Sequence, residues 1–198
     1  MEPRKDADER IAQLHAENDV LKQQLGAMRG LAFRDQLTGL FSRRYLTEFL
    51  EEEIVVGANT TSIVLALCDI DDFKLINDTR GHHSGDIAIA CIADILDDAA
   101  EGQPVIRWGG EELLLVLFST SEQEALRLCN DLRQQVAAYR INDGLGEFTC
   151  TVTIGLAPFD PALSFADNFA RVDRALYQGK ESGKNRCVMA RDAAKGAD

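Results

Sequence analysis

Two short acidic stretches hold the residue types best able to do chemistry. The first is CDIDDFK, with Asp69, Asp71 and Asp72; the second is the turn in VIRWGGEELLLVL, residues 105–117, where Gly109 and Gly110 precede Glu111 and Glu112. An apolar run ends at Asp69, which places that carboxylate at the C-terminal end of a predicted strand, with Asp71 and Asp72 beginning the next helix. Carboxylates and free backbone N–H groups at such a junction suit a metal-bound phosphate, the N–H groups facing the anion and the carboxylates holding the cation. Asp is also a common helix cap, which accounts for the first stretch taken alone. The second stretch changes that balance. Two adjacent strand ends that each carry an acid can converge on one point, and glycines at 109 and 110 remove side chains that would keep a ligand from the backbone. Acids held together without compensation repel until one protonates. A divalent cation removes that penalty, and oxygen-only ligands point to magnesium or manganese.

Placing these acids requires a sheet and its helices. TSIVLALCDI reads as a buried strand, DDFKLINDTRG as a short helix stopped by Gly81, and SGDIAIACIADILDDAA as an amphipathic helix. Val105–Trp108 and Leu113–Phe118 form the arms of a hairpin, followed by SEQEALRLCNDLRQQVAAYR as a helix. EFTCTVTIGLA alternates as a strand does, FADNFARVDRALYQGKES is helical, and RCVMA closes as a last strand. A helix in FRDQLTGLFSRRYLTEFLEEE, with Ser42 as its N-cap, leads this series. The order βααββαβαβ after a leading helix predicts an α/β fold, a mixed central sheet flanked by helices.

The chain has 198 residues, 45% of them hydrophobic, enough for one globular domain and an appendage. Acidic residues exceed basic ones by 33 to 21, a formal charge of −12. That charge opposes duplex binding through phosphate neutralisation, so no nucleic-acid partner is expected. A polyphosphate ligand would need local cations, from placed lysines or metal ions. Cys68, Cys91, Cys129, Cys150 and Cys187 include no CxxC pair and read as free thiols of a reducing cytoplasm. The N-terminus lacks an apolar signal core, and no apolar run approaches the roughly 18 residues needed to span a bilayer. A soluble, cytoplasmic chain is expected.

Residues 1–30 read as a coiled-coil stalk. Ile11, Leu14, Asn18, Leu21, Leu25 and Met28 follow the alternating three- and four-residue spacing of a heptad seam. Asn18 falls at an a position, where a buried asparagine pair favours a parallel, in-register homodimer, and Glu17 at g faces Lys22 at e of the other strand. Residues 31–192 form the globular domain and 193–198 a loose tail. A sensory domain upstream of the stalk is expected in the full-length protein.

Further motifs make the chain recognisable. RWGGEEL resembles the GG[DE]E[FL] signature of the GGDEF family, the diguanylate cyclases. DQLTGLFSRR resembles the family's DxLTGLxNRR, and DIDDFKLINDTRGHHSGD matches DIDxFKxINDxxGHxxGD at every fixed position. TVTIGLA resembles the strand after the long helix, and ALYQGKESGKNR is similar to the closing ALYxAKxxGRN. These motifs run in order from residue 34 to 187.

The resemblance implies a palm-like fold that joins two GTP molecules into cyclic di-GMP, with two magnesium or manganese ions per GTP site. It assigns Asp69, the Ile70 carbonyl, Glu111 and Glu112 to metal, and makes Glu111 the candidate base for the 3′-hydroxyl, although a metal-bound carboxylate is a poor base. It gives Lys74 the charge on the transferring phosphoryl group, and Lys180 and Lys184 the triphosphate, helped by main-chain N–H groups near Asp72 and Phe73. Gly109 and Gly110 would admit the nucleotide, with His82 near the nucleoside or structural in role. Asn77 and Asp86 resemble the family's guanine-reading pair. Guanine offers N1–H and N2–H together to a carboxylate, whereas adenine has no N1–H, so Asp86 argues for GTP over ATP.

Four departures stand out. Ser42 replaces the usual Asn, Leu113 the usual Phe, and Gly179 and Lys184 the usual Ala and Arg. The glycine costs up to about 1 kcal/mol of helix propensity, and lysine gives up bidentate phosphate binding. The fourth concerns regulation: the RxxD product-binding motif of many relatives corresponds here to Ala100-Glu101-Gly102-Gln103, which lacks both ligands. A catalytically silent GTP- or cyclic di-GMP-binding module is the alternative reading. A pure dimerisation protein would explain the stalk but not the site, and Asp86 disfavours an adenine-containing product.

Overall fold

The computed structural model describes residues 10, 14, 17, 18 and 33–190, in two units, Met1–Arg34 and Asp35–Asp198. In the first, Arg10, Leu14, Glu17 and Asn18 are helical and exposed. The other seam positions, Ile11, Leu21, Leu25 and Met28, lie outside the described residues with Lys22, and so does the tail 193–198.

The second unit is built on a six-stranded mixed sheet. Its strands are β1 (Phe41–Ser42), β2 (Ile63–Ile70), β3 (Val105–Arg107), β4 (Glu112–Phe118), β7 (Val152–Pro158) and β8 (Cys187–Met189), in the order β1-β3-β4-β2-β7-β8. A separate hairpin pairs β5 (Ile141–Asn142) with β6 (Glu147–Phe148). Central β2 runs antiparallel to both β4 and β7, while the β1–β3 and β7–β8 pairs at the edges are parallel.

Every residue of β2 is buried, which explains its unbroken apolar run: a strand covered on both faces has no solvent side to alternate with. Parity still sorts its side chains. Val64, Ala66 and Cys68 pack with α3 (His82–Ala99) and α4 (Glu122–Ala138), whereas Ile63, Leu65 and Leu67 pack with α1 (residues 43–57) and α5 (Phe165–Glu181). Helix α1 is continuous over Arg43–Tyr45, a π-helical stretch Leu46–Leu50, and Glu51–Gly57. By the same parity Asp69 belongs to the α5 face. Gly155 lets α5 come that close: a Cβ there would lie 2.3 Å from Leu176 N and 2.5 Å from the Val172 carbonyl.

Besides adding the short strands β1 and β5, absent from the sequence expectations, the structure departs from them in four places. Asp71 and Asp72 do not begin the next helix: α2 spans Phe73–Arg80, with Asp72 its N-cap residue in the left-handed region (φ 56°). EFTCTVTIGLA is two strands, β6 and β7, because Glu147–Phe148 leaves the main sheet to pair with Ile141–Asn142. Ser42 stands at the N-cap of α1 but makes no side-chain capping bond. Helix α3 starts at His82, two residues before Ser84, directly after Gly81 ends α2. All five cysteines are free thiols, and no helix among the described residues is long and apolar enough to cross a membrane.

Candidate active site

The site lies at the C-terminal end of β2. Asp69 and Glu112 are direct register partners across β2 and β4, so antiparallel pairing presents both side chains on the α5 face. Lys180 reaches them from α5, its Nζ 2.8 Å from Asp69 Oδ2. Burial pushes Asp69 up to about 6; Lys180 opposes the rise, and Glu111 and Glu112 add to it. Glu112 is raised for the same first reason, burial, with Lys180 and Arg43 opposing and Asp173 and Glu111 reinforcing.

The GG turn is held from outside. Trp108 N and Gly109 N both donate to the Glu112 carbonyl, at 2.9 and 3.2 Å. Arg107 spans the turn, donating from Nη1 to Asp35 Oδ1 and from Nη2 to the Gly110 carbonyl, each at 2.9 Å. Burial acts against ionisation of Asp35, but Arg107 and Thr38 donate to its carboxylate and hold it below the usual range. Trp108 packs on Phe169 (4.2 Å between centroids) under the Arg43 guanidinium. A Cβ at Gly109 would fall 2.3 Å from Glu112 Oε2, while the corresponding space at Gly110 is open. Position 109 is therefore glycine to seat an acid, and position 110 leaves a bare surface.

On the other side of β2 the loop is fastened by Asp71, which is buried. It accepts from Thr153 Oγ1 and Thr151 Oγ1, both at 2.6 Å, and from Asn185 N at 2.9 Å. One carboxylate thus ties the β2–α2 loop to β7 and to the turn carrying Lys184, and Lys184 in turn pairs with Asp72. The room at Gly179 is taken by Thr153, whose Cγ2 lies 2.6 Å from where a Cβ would be.

Along α2 and α3 a second locus forms. Asn77 Oδ1 is buried and has no hydrogen-bond partner among the described residues. It passes over Gly85, where a Cβ would sit 2.1 Å from it and 3.0 Å from Phe73 Cζ, and Asp86 follows, exposed. His82, His83 and Lys74 are also exposed.

The structure thus brings Asp69, Glu112 and Lys180 together, joins Lys184 to Asp72, and sets Asn77 against the residue before Asp86. Among the described residues no three acidic, histidine or cysteine side chains are already gathered as metal ligands. The charges nonetheless fit a hard divalent cation: buried Asp69 and half-buried Glu112, each raised first by burial and then by acidic neighbours, face one ammonium. Asp71, one of the acids of the first stretch, is taken up by Thr151, Thr153 and the Asn185 N–H and fastens the loop, whereas Arg107, Asp35 and Arg43 were not marked by sequence as site residues. A charged residue inside or beside each signature motif was the available signal.

A mixed sheet ending in an acid pair at a Gly-Gly-Glu-Glu turn is the architecture of a nucleotidyl cyclase domain. The family model "Diguanylate cyclase, GGDEF domain" matches residues 32–186, and the chain belongs to the GGDEF diguanylate cyclase family. It is 36% identical over 156 residues to diguanylate cyclase DgcZ of Escherichia coli, covering 78% of this chain and 52% of that protein. Diguanylate cyclase DgcM of the same organism is 40% identical over 163 residues, covering 80% and 38%. The chain therefore spans about half or less of these relatives. Among solved structures, the coiled coil and GGDEF domain of DgcB from Caulobacter crescentus in complex with c-di-GMP superposes with a TM-score of 0.76 at 30% identity, covering 93% of this chain and 99% of that one. Diguanylate cyclase SiaD of Pseudomonas aeruginosa, in complex with its activator SiaC, gives 0.82 at 33% identity, covering 94% and 73%.

Proposed function

We propose that this chain condenses two GTP molecules into cyclic di-GMP with release of two pyrophosphates. The observation that carries the reading is the Asp69–Glu112 register pair at the GGEE turn, with Lys180 against the buried Asp69. In each half-reaction a 3′-oxygen bonds to the α-phosphorus of the other nucleotide, the α–β anhydride breaks, and pyrophosphate leaves. The hydroxyl proton passes to Glu111 or to solvent. Asp69, the Ile70 carbonyl, Glu111 and Glu112 would hold the magnesium or manganese ions, which would neutralise the acids and acidify the attacking hydroxyl.

Before a nucleotide arrives, Lys180 and Lys184 neutralise Asp69 and Asp72. Binding moves each ammonium from carboxylate to phosphate, and Lys74, at the start of α2, stabilises charge on the transferring group. Asn77 and Asp86 read guanine beside His82, and the backbone at Asp72, Phe73, Gly109 and Gly110 lines the approach.

One domain binds one GTP and the product is a two-fold ring, so two half-sites must face each other. A parallel stalk dimer through residues 1–30, ahead of a catalytic domain at 31–192, raises the effective concentration of the second half-site. An upstream domain would act through that stalk in the cytoplasm. The DgcB complex with c-di-GMP supports the product class.

The test is incubation of the purified chain and Glu111→Ala with GTP and magnesium, nucleotides being resolved by chromatography. Cyclic di-GMP from the parent alone supports the cyclase. A dimer that binds GTP tightly and releases no product supports the silent receptor instead.

A further inference from the structure

Arg80 ends α2, Gly81 turns the chain at φ 88°, and Ser84 lies in the first turn of α3. Both sides of this corner are fastened to one carboxylate on the β5–β6 hairpin. Asp143 Oδ2 accepts from Arg80 Nε and from Ser84 Oγ, each at 2.8 Å. Its Oδ1 accepts from Arg80 Nη2 at 3.1 Å, from Leu145 N at 2.9 Å and from Gly146 N at 3.1 Å. The Asp143 side chain is fully enclosed, at 0% exposure. Arg80 Nη2 also donates to the Gly146 carbonyl at 3.2 Å, and its guanidinium lies 4.5 Å over the Phe148 ring. The single Ser84 hydroxyl proton is shared between Asp143 Oδ2 and the Arg80 carbonyl, which lies 3.0 Å from Ser84 Oγ.

The two polar groups of the base locus hang on this corner. Asn77 lies three residues before Arg80 and so on the same side of α2, while Gly85 and Asp86 directly follow Ser84. The set of α2 against α3 about Gly81 therefore decides whether the Asn77 amide and the Asp86 carboxylate face one base. Asp143 is 63 residues from Arg80 and 59 from Ser84, so no motif around the base locus includes it. We infer that Asp143 is a positioning residue for guanine selection, holding the α2–α3 corner so that Asn77 and Asp86 converge. The inference rests on reading that pair as the guanine site.

The test measures equilibrium binding of 3′-deoxyguanosine and 3′-deoxyadenosine triphosphates, neither of which can condense, with magnesium present. The full chain is compared with Asp143→Asn and Ser84→Ala. The parent is expected to prefer the guanine analogue by about tenfold or more, and Asp143→Asn to lose about tenfold for that analogue alone, the worth of one or two base hydrogen bonds. The adenine analogue keeps its affinity, because its phosphates are held at α5 and the β2–α2 loop. Ser84→Ala retains the Arg80–Asp143 pair and loses about threefold for the guanine analogue, and it decides the matter if Asp143→Asn does not fold. Equal weakening of both analogues, or an intact guanine preference in the variants, reduces Asp143 to a stability role and overturns the inference. A parent with no guanine preference overturns the Asn77–Asp86 reading itself.

Discussion

Replacing Gly85 by alanine separates base recognition from folding. The new methyl falls 2.1 Å from Asn77 Oδ1 and 3.0 Å from Phe73 Cζ, so something must move. What it strikes first is the end of a rotatable amide, and Asn77 yields before the backbone does. Helix α3 gains the Gly-to-Ala propensity difference, about 1 kcal/mol, and an off-rotamer Asn77 costs about 0.5–1.5 kcal/mol. These nearly cancel, so Tm stays within about 3 °C of the parent. Displaced, Asn77 no longer aims its buried acceptor at the base. A net hydrogen bond is worth about 0.5–1.5 kcal/mol, or roughly two- to tenfold in affinity. Steady-state kinetics with GTP, read beside thermal melts, should show KM raised about fivefold, within that range, and kcat nearly unchanged, because the base lies away from the reacting atoms. An unchanged KM would refute the role given to Asn77. A Tm loss beyond about 5 °C would refute the claim that the side chain yields first.

Gly155→Ala should behave in the opposite way. Its methyl meets Leu176 N, the Val172 carbonyl and Leu176 Cα at 2.3, 2.5 and 2.7 Å, all backbone, so α5 must lift from the sheet at a cost of about 1–3 kcal/mol; an unchanged melting temperature would show the helix to be loosely seated. Hydrogen bonds from Arg80, then Ser84 and the Leu145 N–H, hold Asp143 well below the usual carboxylate range. A depressed folded value means that its stabilisation is complete above the ordinary 3.8 and is lost as pH falls below it. Asp143→Asn should therefore lower Tm at pH 7, with the gap to the parent narrowing below about pH 4; a gap that is constant from pH 7 to pH 3 contradicts the pairing. Product inhibition through the RxxD position is expected to be absent. Ala100 is buried, and the Gln103 amide is spent on both backbone groups of Phe118, at 3.3 and 3.0 Å. Initial rates with added cyclic di-GMP test this, and tight noncompetitive inhibition would contradict it.

What was legible in the sequence was what local pattern controls. The unbroken apolar run of β2 gave its double burial, and the acid ending that run gave the position of Asp69. Gly81 gave the end of α2, because at φ 88° a side chain is strained. What was hidden depends on partners far along the chain. Nothing near Asp72 announces a left-handed residue: the loop takes that path because Asp71 is caught by Thr151, Thr153 and the Asn185 amide, 80 to 114 residues away. The β5–β6 pairing rests on the Asp143 turn, itself fixed from α2 and α3, so the stretch from 147 to 157 read as a single strand. Gly179 shows the same limit from another side. As a helix residue it looked like a small loss of propensity. In the fold it makes room for the Thr153 methyl, and Thr153 cannot turn that methyl away while its hydroxyl holds Asp71 at 2.6 Å. A glycine that weakens α5 in isolation thus permits the contact between α5 and β7 on which Lys180 depends to reach Asp69.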